Sequence, residues 1–359
     1  MTKSFKIIIG VIVAVIIIGG IWYGLSREKT PAEEELIKIG FTTPLSGSYA
    51  YIGEDVLKGA EEAIKEANQK GLLNKKIELI VEDNQADSKT AVTNYNLFKM
   101  KGANIVFSSF SSITEALAPL AEQDKTILMY EAVPTNFAED NEYIFKVYSN
   151  AEQEAEIISQ GVKNVSATSA WVYVNNPTSI VMDDIFSAEL SGLKKYKFEI
   201  NEEDFRTIIL KLKNDNIESV ILNGYPKQIL NFVKQSIEQG YNLKRLFVVS
   251  DGGSEDVVNN IEDYIGDSGL EYILVGYGSM SKEIYYIFSH DLTKVLISGM
   301  ESCQKLGKEL DDPECLKEEL KRVSISGKSG DITMTDSGIA ELSPSLYVVE
   351  NKELMLYEE

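Results

Sequence analysis

The sequence predicts two α/β lobes, each built on a doubly wound parallel sheet, behind an apolar N-terminal segment. Three observations carry this expectation. The chain has 359 residues, too many for one ordinary core and suited to two domains of typical size. Short apolar runs alternate with helical patterns of 10–15 residues, the rhythm of parallel strands covered on both faces. That rhythm starts near Leu36 and restarts after Tyr148, so two similar units follow one another.

In the first unit, Leu36–Phe41, Ile77–Asp83, Asn104–Ser108 and Thr126–Tyr130 read as strands. Between them, Glu54–Gln69, Ser88–Lys101 and Ile113–Gln123 read as helices, the first from the spacing of Val56, Ala60, Ala63, Ile64 and Ala67. In the second unit, a helix over Ala151–Lys163 leads to a strand at Ala170–Val174 and a helix through Asp183–Lys194. A strand near Tyr196–Glu199, a helix over Glu202–Asn214 and a strand at Ser219–Leu222 follow. A helix over Lys227–Gln239 then precedes strands at Arg245–Val249 and Leu270–Gly276. The tail differs: a long helix over Lys282–Glu309, another over Pro313–Val323, and short strands at Ile332–Thr335 and Leu346–Val349. Open parallel sheets bind ligands beyond the carboxyl ends of their strands, so two facing lobes put a site in the cleft between them.

The N-terminus reads as a membrane segment. Ile7–Leu25 is 19 residues without a charge, a span of roughly 28 Å that matches a bilayer's hydrocarbon core. Lys3 and Lys6 precede it, Trp22 and Tyr23 lie near its far end, and Glu33, Glu34 and Glu35 follow, flanks that place the rest of the chain outside. A cleaved signal is the competing reading, although the run exceeds the usual apolar length of a signal and no small-x-small cleavage pattern follows it. The formal net charge of −21 repels phosphate backbones, so nucleic acid is not expected as a partner. Cys303 and Cys315 flank a turn-like stretch between two helical patterns; a disulfide outside the cytoplasm and two buried thiols both remain open.

No catalytic, metal or cofactor motif emerges. His290 stands alone in a helical pattern without a nearby Cys pair at metal-binding spacing. Ser326–Gly330 imitates the end of a phosphate-binding loop, but Arg322 occupies the position of the first glycine. An enzyme is therefore not expected. Binding is better represented. Ser112 followed by Glu115 reads as a capping box, so a strand delivers the chain straight to a helix N-terminus, a seat for a carboxylate. Ser111 and Ser112 could add hydroxyl hydrogen bonds. Tyr225, Asp251 and Thr135 also follow strand ends, where an aromatic, a carboxylate and a hydroxyl would face a ligand.

Taken in order, IKIGFTTPLSGSYAYIGEDVLKGAEEAIKEAN, IELIVEDNQADSKTAV, FSSFSSITEALAPLAEQDKTILM, ILNGYPKQILNFVKQSIEQGYN and VSISGKSGDITMTDSG resemble the branched-chain amino-acid (Leu/Ile/Val) binding proteins of ABC importers. These are the type I periplasmic binding proteins. The likeness runs from about Leu36 to the end. It implies a two-lobed Venus flytrap without cofactor, exported, holding an amino acid or similar zwitterion and delivering it to an ABC permease, with the N-terminal helix tethering it to the membrane. Carried over by position, Ser111 and Ser112 would hold an α-carboxylate. Pro134, Thr135 and the carbonyl near Val133 would meet the α-amine, with Asp251 and Tyr225 supplied by the second lobe. The implied division is 1–26 anchor or uncleaved signal, 27–35 tether, 36–148 with 277–323 lobe one, and 149–276 with 324–359 lobe two. Departures are visible too. Ile52, with Tyr51 beside it, replaces the family's aromatic in the first loop. NNPTSIVMDD lacks the usual Tyr-Gly pair, and Glu131 stands where a small residue is usual. A ligand-sensing flytrap for a signalling partner and a ligand-free scaffold are the alternative roles.

Overall fold

The computed structural model describes residues 35–134, 136–139, 141–165, 167–278 and 284–357. The expected anchor, nearly all of the tether, and Thr135 lie outside the described residues. Among the described residues no helix is long and apolar enough to cross a membrane.

The first sheet comprises β1 (Leu36–Thr43), β2 (Lys76–Asp83), β3 (Ile105–Ser109), β4 (Ile127–Glu131) and β5 (Ile144–Lys146), ordered β2-β1-β3-β4-β5. Strands β1 and β3, β3 and β4, and β4 and β5 pair in parallel, and every residue of β3 and β4 is buried. Burial on both faces is what a parallel sheet requires of such continuous apolar runs. Its first connections are the helices α1 (Ala50–Lys70), α2 (Ser88–Met100), α3 (Ser111–Asp124) and the single turn α4 (Asn136–Glu139). Gly71, in the left-handed region at φ 61°, ends α1 as a glycine C-cap does. Asp87 caps α2 by accepting from the Thr90 N–H at 2.8 Å.

The second sheet follows α5 (Ala151–Asn164). It contains β6 (Ser169–Val174), β7 (Lys194–Phe198), β8 (Ser219–Asn223), β9 (Arg245–Val248) and β10 (Glu271–Tyr277) in parallel. Two late antiparallel strands, β14 (Pro344–Glu350) and β15 (Glu353–Leu356), extend its edge. The order is β15-β14-β10-β9-β8-β6-β7. The connecting helices are α6 (Pro177–Glu189), α7 (Arg206–Asn214), α8 (Pro226–Glu238) and α9 (Glu255–Ile265). Then α10 (Ile284–Lys305) returns to the first lobe and packs along α1. It is followed by α11 (Pro313–Leu320), which a Cys303–Cys315 disulfide joins to the end of α10.

A third, small antiparallel sheet holds β11 (Ser324–Gly327), β12 (Gly330–Met334) and β13 (Ala340–Glu341). It touches β5 through a Lys146–Ile339 bridge. The Asp291 carboxylate of α10 takes the Lys328 and Ser329 N–H groups of its first turn at 2.8 and 2.7 Å. The Ser326–Gly330 stretch is thus a hairpin turn held by an acid. Within residues 324–359, then, β14 and β15 join the second sheet, whereas β11–β13 lie against β5 and α10.

Several bounds differ from expectation: the helix expected over Glu202–Asn214 begins at Arg206, and that over Pro313–Val323 ends at Leu320. The helix expected through Asp183–Lys194 begins at Pro177, where Asn176 accepts from the Ser179 N–H at 2.9 Å, and ends at Glu189, freeing Lys194 to pair in β7. The helix expected behind a Ser112 cap begins two residues earlier, at Ser111, with Phe110 at its N-cap and no side-chain cap bond. A helix over Glu255–Ile265, unassigned in the sequence, buries Val257, Val258 and Ile261.

Candidate functional site

The chain crosses between the two main sheets three times: from β5 into α5, from β10 into α10, and from β13 into β14. These crossings leave the carboxyl ends of β3 and β4 facing those of β6, β8 and β9. Between the facing ends lies a cavity of about 370 Å³.

The first lobe's wall begins where β3 runs directly into α3. Phe110 makes the connection with a φ of 72°, a conformation rare for a bulky residue and typical of over-determined functional turns. Its N–H donates to the Glu131 carbonyl at 3.2 Å, which locks the ends of β3 and β4 together. Thr43 and Ser109 share a 2.7 Å hydroxyl contact that adds β1 to the same edge. Ser111 and Ser112 form the first turn of α3 and line the cavity. The first N–H groups of a helix have no carbonyl of their own, so this turn presents donors and partial positive charge to the cleft.

The second lobe contributes Asn175 and Asn176 after β6, Asn223 and Tyr225 after β8, and Ser250 and Asp251 after β9. Two contacts cross the cleft. Tyr49 meets both Phe110 and Tyr225 edge-on, with centroids 5.5 and 5.9 Å apart. Tyr285, from the start of α10, donates to Asp251 Oδ1 at 2.8 Å. Tyr148, just beyond β5, completes the aromatic lining.

Charge in the cavity has one sign. Burial pushes the Asp251 carboxyl up to about 7, against the Tyr285 hydrogen bond and aided by the nearby Glu154. Burial also holds Glu131 well above the usual carboxylate range. Glu154, buried behind the wall, accepts from the Ser250 N–H at 3.2 Å and the Tyr277 hydroxyl at 3.1 Å. Among the described residues lining the cavity there is no Lys, Arg or His. Such a cleft suits a positively charged group opposite Asp251 and a carboxylate at α3.

Of the residues singled out in the sequence, Ser111, Ser112, Tyr225 and Asp251 come together around this cavity. Pro134 does not line it, although Val133 does, and its carbonyl is taken by the Tyr130 hydroxyl at 2.9 Å. Tyr51 is 38% exposed and outside the lining, while Tyr49 and Ile52 on either side of it face in. Tyr49, Tyr148, Tyr285 and the three asparagines were missed by sequence reasoning. The asparagines sit at strand ends, so the rule that found Tyr225 reaches them as well. His290 is buried beside Asp291, its Nδ1 3.2 Å from the carboxylate. Among the described residues no group of three or more His, Cys, Asp or Glu could hold a metal ion.

Residues 36–271 match the family model described as periplasmic binding protein. A Leu/Ile/Val-binding protein homolog of Brucella abortus is 27% identical over 243 residues, covering 65% of this chain; the match spans 64% of that relative's length. Among solved structures, the branched-chain amino acid transporter substrate binding protein LivJ of Streptococcus pneumoniae, in complex with isoleucine, superposes with a TM-score of 0.77. It is 18% identical, with 89% of this chain and 98% of that one covered. A solute binding protein of an ABC transporter from Rhodopseudomonas palustris, in complex with 3,4-dihydroxybenzoic acid, gives 0.75 at 19% identity, covering 89% and 95%. The matched span takes in both parallel sheets up to the start of β10 and every strand end that lines the cavity except the helix bearing Tyr285, and the chain belongs to the periplasmic binding protein family.

Proposed function

We propose that this chain is an extracytoplasmic solute-binding protein, not an enzyme, that captures an amino acid or similar small zwitterion between its lobes and delivers it to an ABC permease. The observation that carries the reading is the opposition, across one cavity, of the α3 N-terminus with Ser111 and Ser112 to the Asp251 carboxylate. The two ends of a zwitterion want those two environments. Tyr225 and Tyr49 cover the ligand from opposite lobes. In this reading Ile7–Leu25 keeps the protein at the membrane surface, a point that cell fractionation of the full chain checks.

The aromatic lining of Tyr49, Phe110, Tyr148, Tyr225 and Tyr285 favours one second reading, an aromatic acid without an amine. Calorimetric titration of the full chain with amino acids, small amides and hydroxybenzoates separates the two. An amino acid is expected to bind, with Asp251→Asn weakening it about tenfold or more and Ser111→Ala weakening it by about threefold to tenfold. A benzoate bound equally well by the wild type and Asp251→Asn replaces the zwitterion with the aromatic acid.

A further inference from the structure

We infer that the ligand carries a second cationic group, which Glu131 receives, so that the preferred class is a short diamino monocarboxylic acid rather than an aliphatic amino acid. The inference rests on the amino-acid reading and sharpens it.

Glu131 is the last residue of β4. Side chains alternate along a strand, so it shares a sheet face with Met129, the face that packs into the core shared with α1 and α10. Ile52 and Val56 of α1 and Tyr285 of α10 line the cavity from this same side, and Glu131 lines it with them. The side chain is only 6% exposed, and among the described residues its Oε2 has no partner within hydrogen-bond distance, although the Ser289 hydroxyl stands near enough to favour its ionised form. A buried carboxyl with an unmatched oxygen is among the more costly groups a fold can keep, unless a partner arrives from outside. None of the described residues lining the cavity is basic, so the protein itself brings no cation to this oxygen.

The positions divide the work. The α3 N-terminus takes the ligand carboxylate, Asp251 on the opposite wall takes the α-ammonium, and Glu131 meets a terminal ammonium that enters between Ile52, Val56 and Tyr285. Both ammonium groups then have a carboxylate, and the apolar walls cover the methylenes between them. An aliphatic side chain in the same place would leave Glu131 buried with only the Ser289 hydroxyl nearby and no cation, and gain nothing from its charge.

The test titrates the full chain with ornithine and lysine against norvaline and norleucine, which match their stems but lack the second amine, and against leucine as the branched aliphatic. Ornithine or lysine is expected to bind about tenfold or more tighter than norvaline. In Glu131→Gln that ratio should fall to near one, with norvaline binding as well as before or better. Norvaline or leucine binding as tightly as the diamino acids in the wild type overturns this inference and leaves the amino-acid reading standing. A diamino preference that survives in Glu131→Gln overturns it equally. Binding of benzoates with no amino acid bound overturns the reading beneath it as well. The wild-type comparison needs no variant to fold, and thermal melts establish whether Glu131→Gln does.

Discussion

At the residue scale, Asp251 joins function to stability. Its carboxyl is held at about 7 because burial opposes the charged form. Between the unfolded value near 4 and that folded value, the native state binds a proton that the unfolded chain releases. The wild type therefore loses stability as pH rises through that window. Asn cannot ionise, so Asp251→Asn should melt higher than the wild type at pH 8, by at most about 4 kcal/mol, and the gap should close toward pH 4. Paired thermal melts across that range measure it, and a gap independent of pH would mean that the carboxyl is not held up by burial. Binding responds in the opposite sense. An ammonium needs the ionised carboxylate, so its affinity should fall as pH drops below about 7, approaching tenfold per unit.

At the element scale, the pairing of α1 with α10 shapes the cavity floor. A Cβ added at Gly59 would sit 2.3 Å from the Tyr286 carbonyl oxygen and 2.9 Å from the His290 nitrogen. Both are backbone atoms of the partner helix, which cannot rotate away. Gly59→Ala should therefore push the helices apart and cost about 1–3 kcal/mol, read from denaturant melts. Because α1 also carries Ile52 and Val56 into the cleft, ligand affinity should fall with it. An unchanged melt would mean that the helices slide freely. The same pairing marks where sequence reasoning stopped. Strands such as β3 and β4 were legible because every residue is buried, which leaves continuous apolar runs. Ser111, Ser112, Tyr225 and Asp251 were legible because each follows a strand end. β5, with three residues, is too short to show a period and exists through its pairing with β4. α9 was missed because Asn259, Asn260, Glu262 and Asp263 dilute its buried stripe of Val257, Val258 and Ile261. Tyr285 was illegible for another reason: it reaches the cavity from a helix start far along the chain, placed by packing on α1 that no local pattern records.

At the scale of the whole molecule, three chain crossings and, among the described residues, two contacts across the cleft bear on how the lobes move. Crossings confined to a few segments permit a hinge rotation and resist sliding. Against that freedom stand the Tyr49–Tyr225 edge contact and the Tyr285–Asp251 hydrogen bond, which hold the cleft shut. The hydrogen bond is the more decisive of the two, since it ends on an acid and lies between lobes. Hydrogen bonds to charged groups contribute about 1.5–3 kcal/mol, enough to move a balanced two-state equilibrium by roughly tenfold or more. Tyr285→Phe keeps the ring and deletes only the bond. Without ligand, the variant should populate an opened form, read as a larger radius of gyration in small-angle scattering than the wild type. With saturating ligand the two should coincide, because the ligand then supplies the bridge between α3 and Asp251. The apparent affinity of the variant should drop in proportion to the closed fraction it has lost, while Asp251 Oδ2 remains available to the ligand. Identical scattering of the two ligand-free proteins would assign closure to the aromatic contact instead, and Tyr225→Ala would then have to open the cleft.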